Sequence, residues 1–156
     1  MKLVHLFIPL LLFGACSADE TTVITNELVI GLSYGECTGD CAFLYLLKDD
    51  MVYTDSGVDR VSFDPANHTF SSTPLPNIDQ LLYDSLFSQL PGNLGEYERE
   101  DFGCPDCGDG GSLHVIRSTE EGVYNIYQLD NMTEEMDAGL RPYGRLMKRA
   151  LVAFRR

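Results

Sequence analysis

Apolar residues along the chain fall into short blocks separated by turn-forming residues. Val23 to Leu32 is rich in β-branched and aliphatic residues, and Ala42-Phe43-Leu44-Tyr45-Leu46-Leu47 is an apolar run too brief for a stable helix, so both predict strands. Lys48-Asp49-Asp50 forms a turn into Met51-Val52-Tyr53-Thr54, and Asp55-Ser56-Gly57 turns again into Val58 to Phe63, which is hairpin chemistry. Asp64-Pro65-Ala66-Asn67 and Ser71-Ser72-Thr73-Pro74-Leu75-Pro76 punctuate a loop around His68-Thr69-Phe70, one more short strand.

The period then changes. Asn77, with Gln80 three positions on, has the pattern of a helix N-cap, and Ile78, Leu81, Leu82, Leu86 and Leu90 share one face of a helix that ends before Pro91-Gly92. A loop from Asn93 to Gly111 leads to two strands, Leu113 to Arg117 and Val123 to Leu129, joined through Glu120-Glu121-Gly122. After an acidic turn near Thr133 to Asp137, Pro142 fits the first position of a final helix. Tyr143, Leu146, Met147, Ala150, Leu151 and Phe154 form its buried stripe. This order predicts an α+β fold: one antiparallel sheet of about five to six strands, with two main helices packed on one face.

The N-terminus carries an address. Lys2 precedes the apolar run Leu6 to Phe13, which ends in Gly14-Ala15 and Cys16, the layout of an export signal. The run falls short of the roughly 20 apolar residues of a membrane-spanning helix, and Pro9 interrupts it. Phe13-Gly14-Ala15-Cys16 resembles the lipobox of bacterial lipoproteins, with Phe13 where Leu is usual; the competing cleavage is by ordinary signal peptidase after Ser17 or Ala18. The expected organisation is a signal peptide at 1–15, a lipidated tether at 16–22 that begins with the modified Cys16, and a single globular domain at 23–156. Two or more acyl chains on Cys16 hold firmly, because each buried methylene contributes about 0.8 kcal/mol. By resemblance to the lipoprotein sorting rule, Ser17 after the lipidated cysteine implies an outer-membrane anchor in a Gram-negative envelope, facing the periplasm or the surface.

Charge narrows the choice of partner. Removing residues 1–15 takes one of the 11 Lys and Arg, Lys2, and none of the 24 Asp and Glu. Such an acidic chain lacks the cationic surface that binds phosphate backbones, which argues against nucleic acid. The expected partners are the membrane, through the lipid, and an envelope protein of unknown identity. Arg141, Arg145, Lys148, Arg149, Arg155 and Arg156 crowd the C-terminus. They suit either contact with anionic lipid or, as the preferred reading, the outer face of a covering helix on an acidic domain.

With Cys16 set aside, four cysteines remain in two close pairs, Cys37-Thr38-Gly39-Asp40-Cys41 and Cys104-Pro105-Asp106-Cys107. In an oxidising compartment an even count points to disulfides, with three possible connectivities. A Cys37–Cys41 bond needs a turn at Gly39, since four extended steps span roughly 13 Å and a disulfide needs Cα atoms about 4.4 to 6.8 Å apart. Pro105-Asp106 could form a turn that lets Cys104 and Cys107 bond locally. Pairing one segment with the other instead closes a loop of about 65 residues and stabilises by roughly 4 kcal/mol in the chain-entropy model. Two alternatives use the same residues. Cys104-Pro105-Asp106-Cys107-Gly108 resembles a zinc knuckle, which would make Cys37, Cys41, Cys104 and Cys107 a four-thiolate site. Cys104 and Cys107 also have the spacing of a thiol–disulfide redox pair, although Gly108-Asp109-Gly110-Gly111 does not start the helix such a pair uses.

Other constellations carry less. Asp101, Asp106 and Asp109 lack the alternation of an EF-hand, and the glycines that follow lack the Lys-Ser or Lys-Thr of a phosphate loop. His68 and His114, the histidines of the mature chain, show no Ser or Cys partner in the sequence.

Taken together, Cys37-Thr38-Gly39-Asp40-Cys41 and Gly103-Cys104-Pro105-Asp106-Cys107-Gly108-Asp109-Gly110-Gly111 resemble motifs of small uncharacterised lipoproteins of Gram-negative bacteria. The likeness covers most of residues 28 to 154. It implies a shared fold and a structural association of the two cysteine pairs, and it transfers no catalytic residue; no cofactor is expected, with zinc as the alternative. The expected function is therefore a non-enzymatic binding or envelope-structural domain, with redox and zinc-binding alternatives.

Overall fold

The computed structural model describes residues 27–34, 42–56, 69–92, 94, 101–102, 110–118, 124–132, 134 and 136–155. Its elements run β1 (Leu28–Ser33), β2 (Ala42–Lys48), β3 (Met51–Thr54), α1 (Gln80–Ser88), β4 (Asp101–Phe102), β5 (Ser112–Ser118), β6 (Tyr124–Asp130) and α2 (Arg141–Phe154). The sheet order is β3-β2-β1-β5-β6-β4. Five strands pair antiparallel, and the two-residue β4 lies parallel to the outer edge of β6. This is the expected α+β fold, with one two-residue strand inside what reads as a loop.

Alternation along the strands sorts residues onto two faces. Leu28 and Ile30 of β1, Tyr45 and Leu47 of β2, Val52 of β3, Leu113 and Val115 of β5, and Tyr127 and Leu129 of β6 form one core with Leu82, Tyr83 and Leu86 of α1 and the inner stripe of α2. Both helices therefore cover the same face. Phe154, in the last turn of α2, meets Tyr45 edge-on with ring centroids 5.5 Å apart.

Local chemistry fixes the corners. The β2–β3 hairpin turns on Asp49 and Asp50, both at positive φ (51° and 59°), as a two-residue turn that matches strand twist requires. Tyr83 of α1 accepts the Asp50 N–H on its hydroxyl at 3.2 Å, which ties helix to hairpin. Helix α1 starts two residues later than the sequence predicts: Asn77 follows Pro76 and takes φ 54°, and Asp79 becomes the N-cap, accepting the Leu82 N–H at 3.2 Å. The outer edge of β3 is partly closed by the segment after Thr69, through an Asp55–Phe70 bridge, Ser71 N–H to Thr54 O and Leu75 N–H to Val52 O. Strand Val58 to Phe63 and residues 23–26 of the first strand lie outside the described residues.

Tyr143, near the start of α2, is buried and donates its hydroxyl to Leu86 O of α1 at 3.1 Å. Desolvation pushes its phenol far above the usual range. A free phenol ionises near pH 10, so above that pH the unfolded chain gains an ionised state that the folded chain resists. The Tyr143 contribution is thus intact below about pH 10 and is lost as pH rises beyond it. Tyr143→Phe is expected to cost about 1 kcal/mol at pH 7 and to make the alkaline fall in stability shallower. Urea midpoints of both proteins at pH 7 and at pH 11 provide the check.

Candidate functional site

The second sheet face, away from the helices, is also buried at its centre: Leu44 and Ile116 are each 2% exposed and Ala42 is 3% exposed. Gly31 makes room for Leu44. A Cβ at Gly31 would run into the Leu44 side chain and lie 2.8 Å from Phe43 O. Toward one end of this face the residues turn polar. Ser33, Ser112 and Asp130 are register partners across β1, β5 and β6, and Gly31, His114 and Gln128 form the next row.

His114 is 2% exposed, and its Nε2 lies 2.6 Å from Ser33 Oγ, across 81 residues of sequence. With the ring proton on Nδ1, Nε2 accepts from the serine hydroxyl. Ser33 itself, at the end of β1, is only partly buried. Ser112 is fully buried, and its Oγ meets no hydrogen-bond partner among the described residues. Asp130 is buried and accepts the Met132 N–H on Oδ1 at 2.6 Å, an Asx turn that ends β6. Asn131 then donates its side-chain amide to Gly110 O at 2.5 Å and receives Lys148 Nζ of α2 on its own carbonyl at 2.7 Å. Gly111, at φ 75°, passes so close to β1 that a Cβ there would strike Ser33 O and sit 2.8 Å from the Tyr34 ring. Sequence reasoning finds no partner for His114; the structure supplies Ser33 through strand register.

Cys16, Cys37, Cys41, Cys104 and Cys107 all lie outside the described residues, as does His68. Among the described residues there is no group of three His, Cys, Asp or Glu placed to hold a metal ion, and no helix long and apolar enough to cross a membrane. The chain around the cysteine segments is described. Ser33 and Ala42, which flank the first segment, are register partners, and Ser33 also partners Ser112, just beyond the second. Phe102, ahead of the second segment, pairs with Leu129 beside Asp130. The anchoring points of both segments thus converge on the polar end of the sheet.

Four basic residues in and just after α2 contact groups of their own domain from the exposed side of the helix. Arg145 pairs with Glu134 at 3.2 Å, Arg141 Nε donates to Met136 O at 2.8 Å, and the Arg155 guanidinium lies 4.2 Å from the Phe43 ring centroid. With Lys148 held by Asn131 O, this is the covering-helix arrangement. No family model matches the chain, and neither a curated protein nor a solved structure matches it.

Proposed function

We propose that this chain is an exported, outer-membrane-anchored lipoprotein whose α+β domain binds an envelope partner or supports the envelope, with its sheet braced through Cys37, Cys41, Cys104 and Cys107. The observation that carries the reading is the convergence of the cysteine-segment anchors: Ser33 partners both Ala42 and Ser112. In sequence Cys41 immediately precedes Ala42, and Cys104 comes two residues after Phe102. Ser33 leads into the first segment and Ser112 follows the second on the adjacent strand, which suits pairing between segments, the arrangement with the greater chain-entropy gain. The acidic composition, with several basic residues of α2 engaged by groups of their own domain, fits a tether through lipid rather than through a basic surface.

Peptide mapping of the natively exported protein without reduction tests the whole reading. The expected result is acylated Cys16 and two disulfides among the other four cysteines. An unmodified Cys16 would overturn the anchor. Four free thiols with one zinc per chain would replace the disulfide brace with a zinc site, and insulin reduction dependent on both Cys104 and Cys107 would make the pair catalytic.

A further inference from the structure

We propose that Ser33 is an activated nucleophile, with His114 as its general base, that accepts the acyl group of neutral esters. This goes beyond the anchored-domain reading and does not depend on it. The 2.6 Å separation of Ser33 Oγ and His114 Nε2 meets the first geometric requirement of a serine nucleophile, a base within hydrogen-bond reach of the proton it removes.

Burial is graded in the useful direction. Ser33 is the partly exposed member, while His114 at 2% lies behind it, shielded from competing water. Ser33 and Asp130 are both register partners of Ser112, so a hydroxyl and a carboxylate sit on the two strands flanking the one that carries His114. The fully buried Ser112 Oγ, with no hydrogen-bond partner among the described residues, is the second signal. A buried hydroxyl left unpaired is costly, and a bound water at this spot would satisfy it. Net charge of −13 and the Asp130 carboxylate disfavour anionic substrates, so the proposal is confined to uncharged esters.

In the step itself, the Ser33 O–H proton passes to His114 Nε2 as Oγ bonds to the ester carbonyl carbon. The ester C–O bond then breaks, and the leaving alkoxide takes the proton from His114. Water attacks the acyl-serine, losing a proton to Nε2 that returns to Ser33 Oγ as the acid departs. Nothing is oxidised or reduced, and water is the co-reactant.

The test is labelling of the full, natively exported chain with an uncharged fluorophosphonate. Here the Ser33 Oγ–P bond forms, P–F breaks, fluoride leaves with the electron pair and the proton goes to His114 and then to solvent. The expected result is one adduct per chain, mapped to Ser33, absent in Ser33→Ala and absent when the chain is unfolded in urea. His114→Gln, compared at matched circular dichroism, is expected to label about 10² to 10⁴ times more slowly. An unlabelled Ser33 in the native chain would overturn the proposal, as would equal labelling in urea, which needs no variant to fold. Either failure leaves the lipid and cysteine maps unchanged, so the two readings fail separately.

Discussion

Gly111→Ala is expected to lower the stability of the domain by about 2 to 5 kcal/mol. Two costs combine. An L-residue held near the left-handed region costs roughly 1 to 2 kcal/mol, and forcing an extra methyl against packed atoms costs about 1 to 3 kcal/mol more. The atoms it meets are the Ser33 carbonyl and the Tyr34 ring; the carbonyl, belonging to a paired strand, cannot rotate away as a flexible side-chain end could. Gly92 and Gly139 serve as internal references, since a Cβ at either meets nothing within 4 Å and neither has positive φ. Their alanine variants should stay within about 0.5 kcal/mol of the parent. Urea unfolding of the three variants decides the matter: a Gly111→Ala midpoint indistinguishable from that of Gly92→Ala would show that the approach of Gly111 to β1 is dispensable.

Leu86→Ala should be comparably severe, about 2 to 5 kcal/mol. Helix α1 buries only Leu82, Tyr83 and Leu86, and Leu86 is the one with no exposure at all. Removing it leaves a cavity where α1 meets α2, beside the Leu86 carbonyl that receives the Tyr143 hydroxyl. With a urea slope of about 1 to 3 kcal/mol per molar, the midpoint should fall by roughly 1 M or more at unchanged slope. Leu81, 80% exposed on the same helix, is the matched comparison and should lose less than about 0.5 kcal/mol as alanine. Equal losses at the two positions would mean that α1 is not held by the face described.

These two sites also show what the sequence reveals and what it conceals. The apolar stripe of α2 and the blocks that become β2, β3, β5 and β6 are legible because burial on the helix-covered face imposes a period that the residues obey. The alternation is blurred where the second face is buried too: Leu44 and Ile116 are apolar but point away from the helices, so β2 reads as a continuous run and β5 breaks its alternation at Val115-Ile116. The start of α1 is displaced because Asn77 and Asp79 are both good caps, and backbone conformation, φ 54° at Asn77, decides between them. Strand β4 escapes notice because two residues carry no period. The Ser33–His114 pair escapes for a different reason. It is a property of register, and no local pattern states which residue of β5 will stand beside the end of β1.

That register carries a safeguard against misfolding. Along β5 the side chains alternate Ser112, Leu113, His114, Val115, Ile116, so a slip of one residue against β1 would turn Ser112 and His114 toward the helices and send Leu113 and Val115 to the opposite face. On β6, Asp130 would arrive in the helix-packed core in place of Leu129. Bringing an uncompensated carboxylate and imidazole into the helix-packed core is far costlier than losing a few contacts. The polar row therefore acts as a register key: it penalises the one-residue slip and favours the threading seen in the sheet.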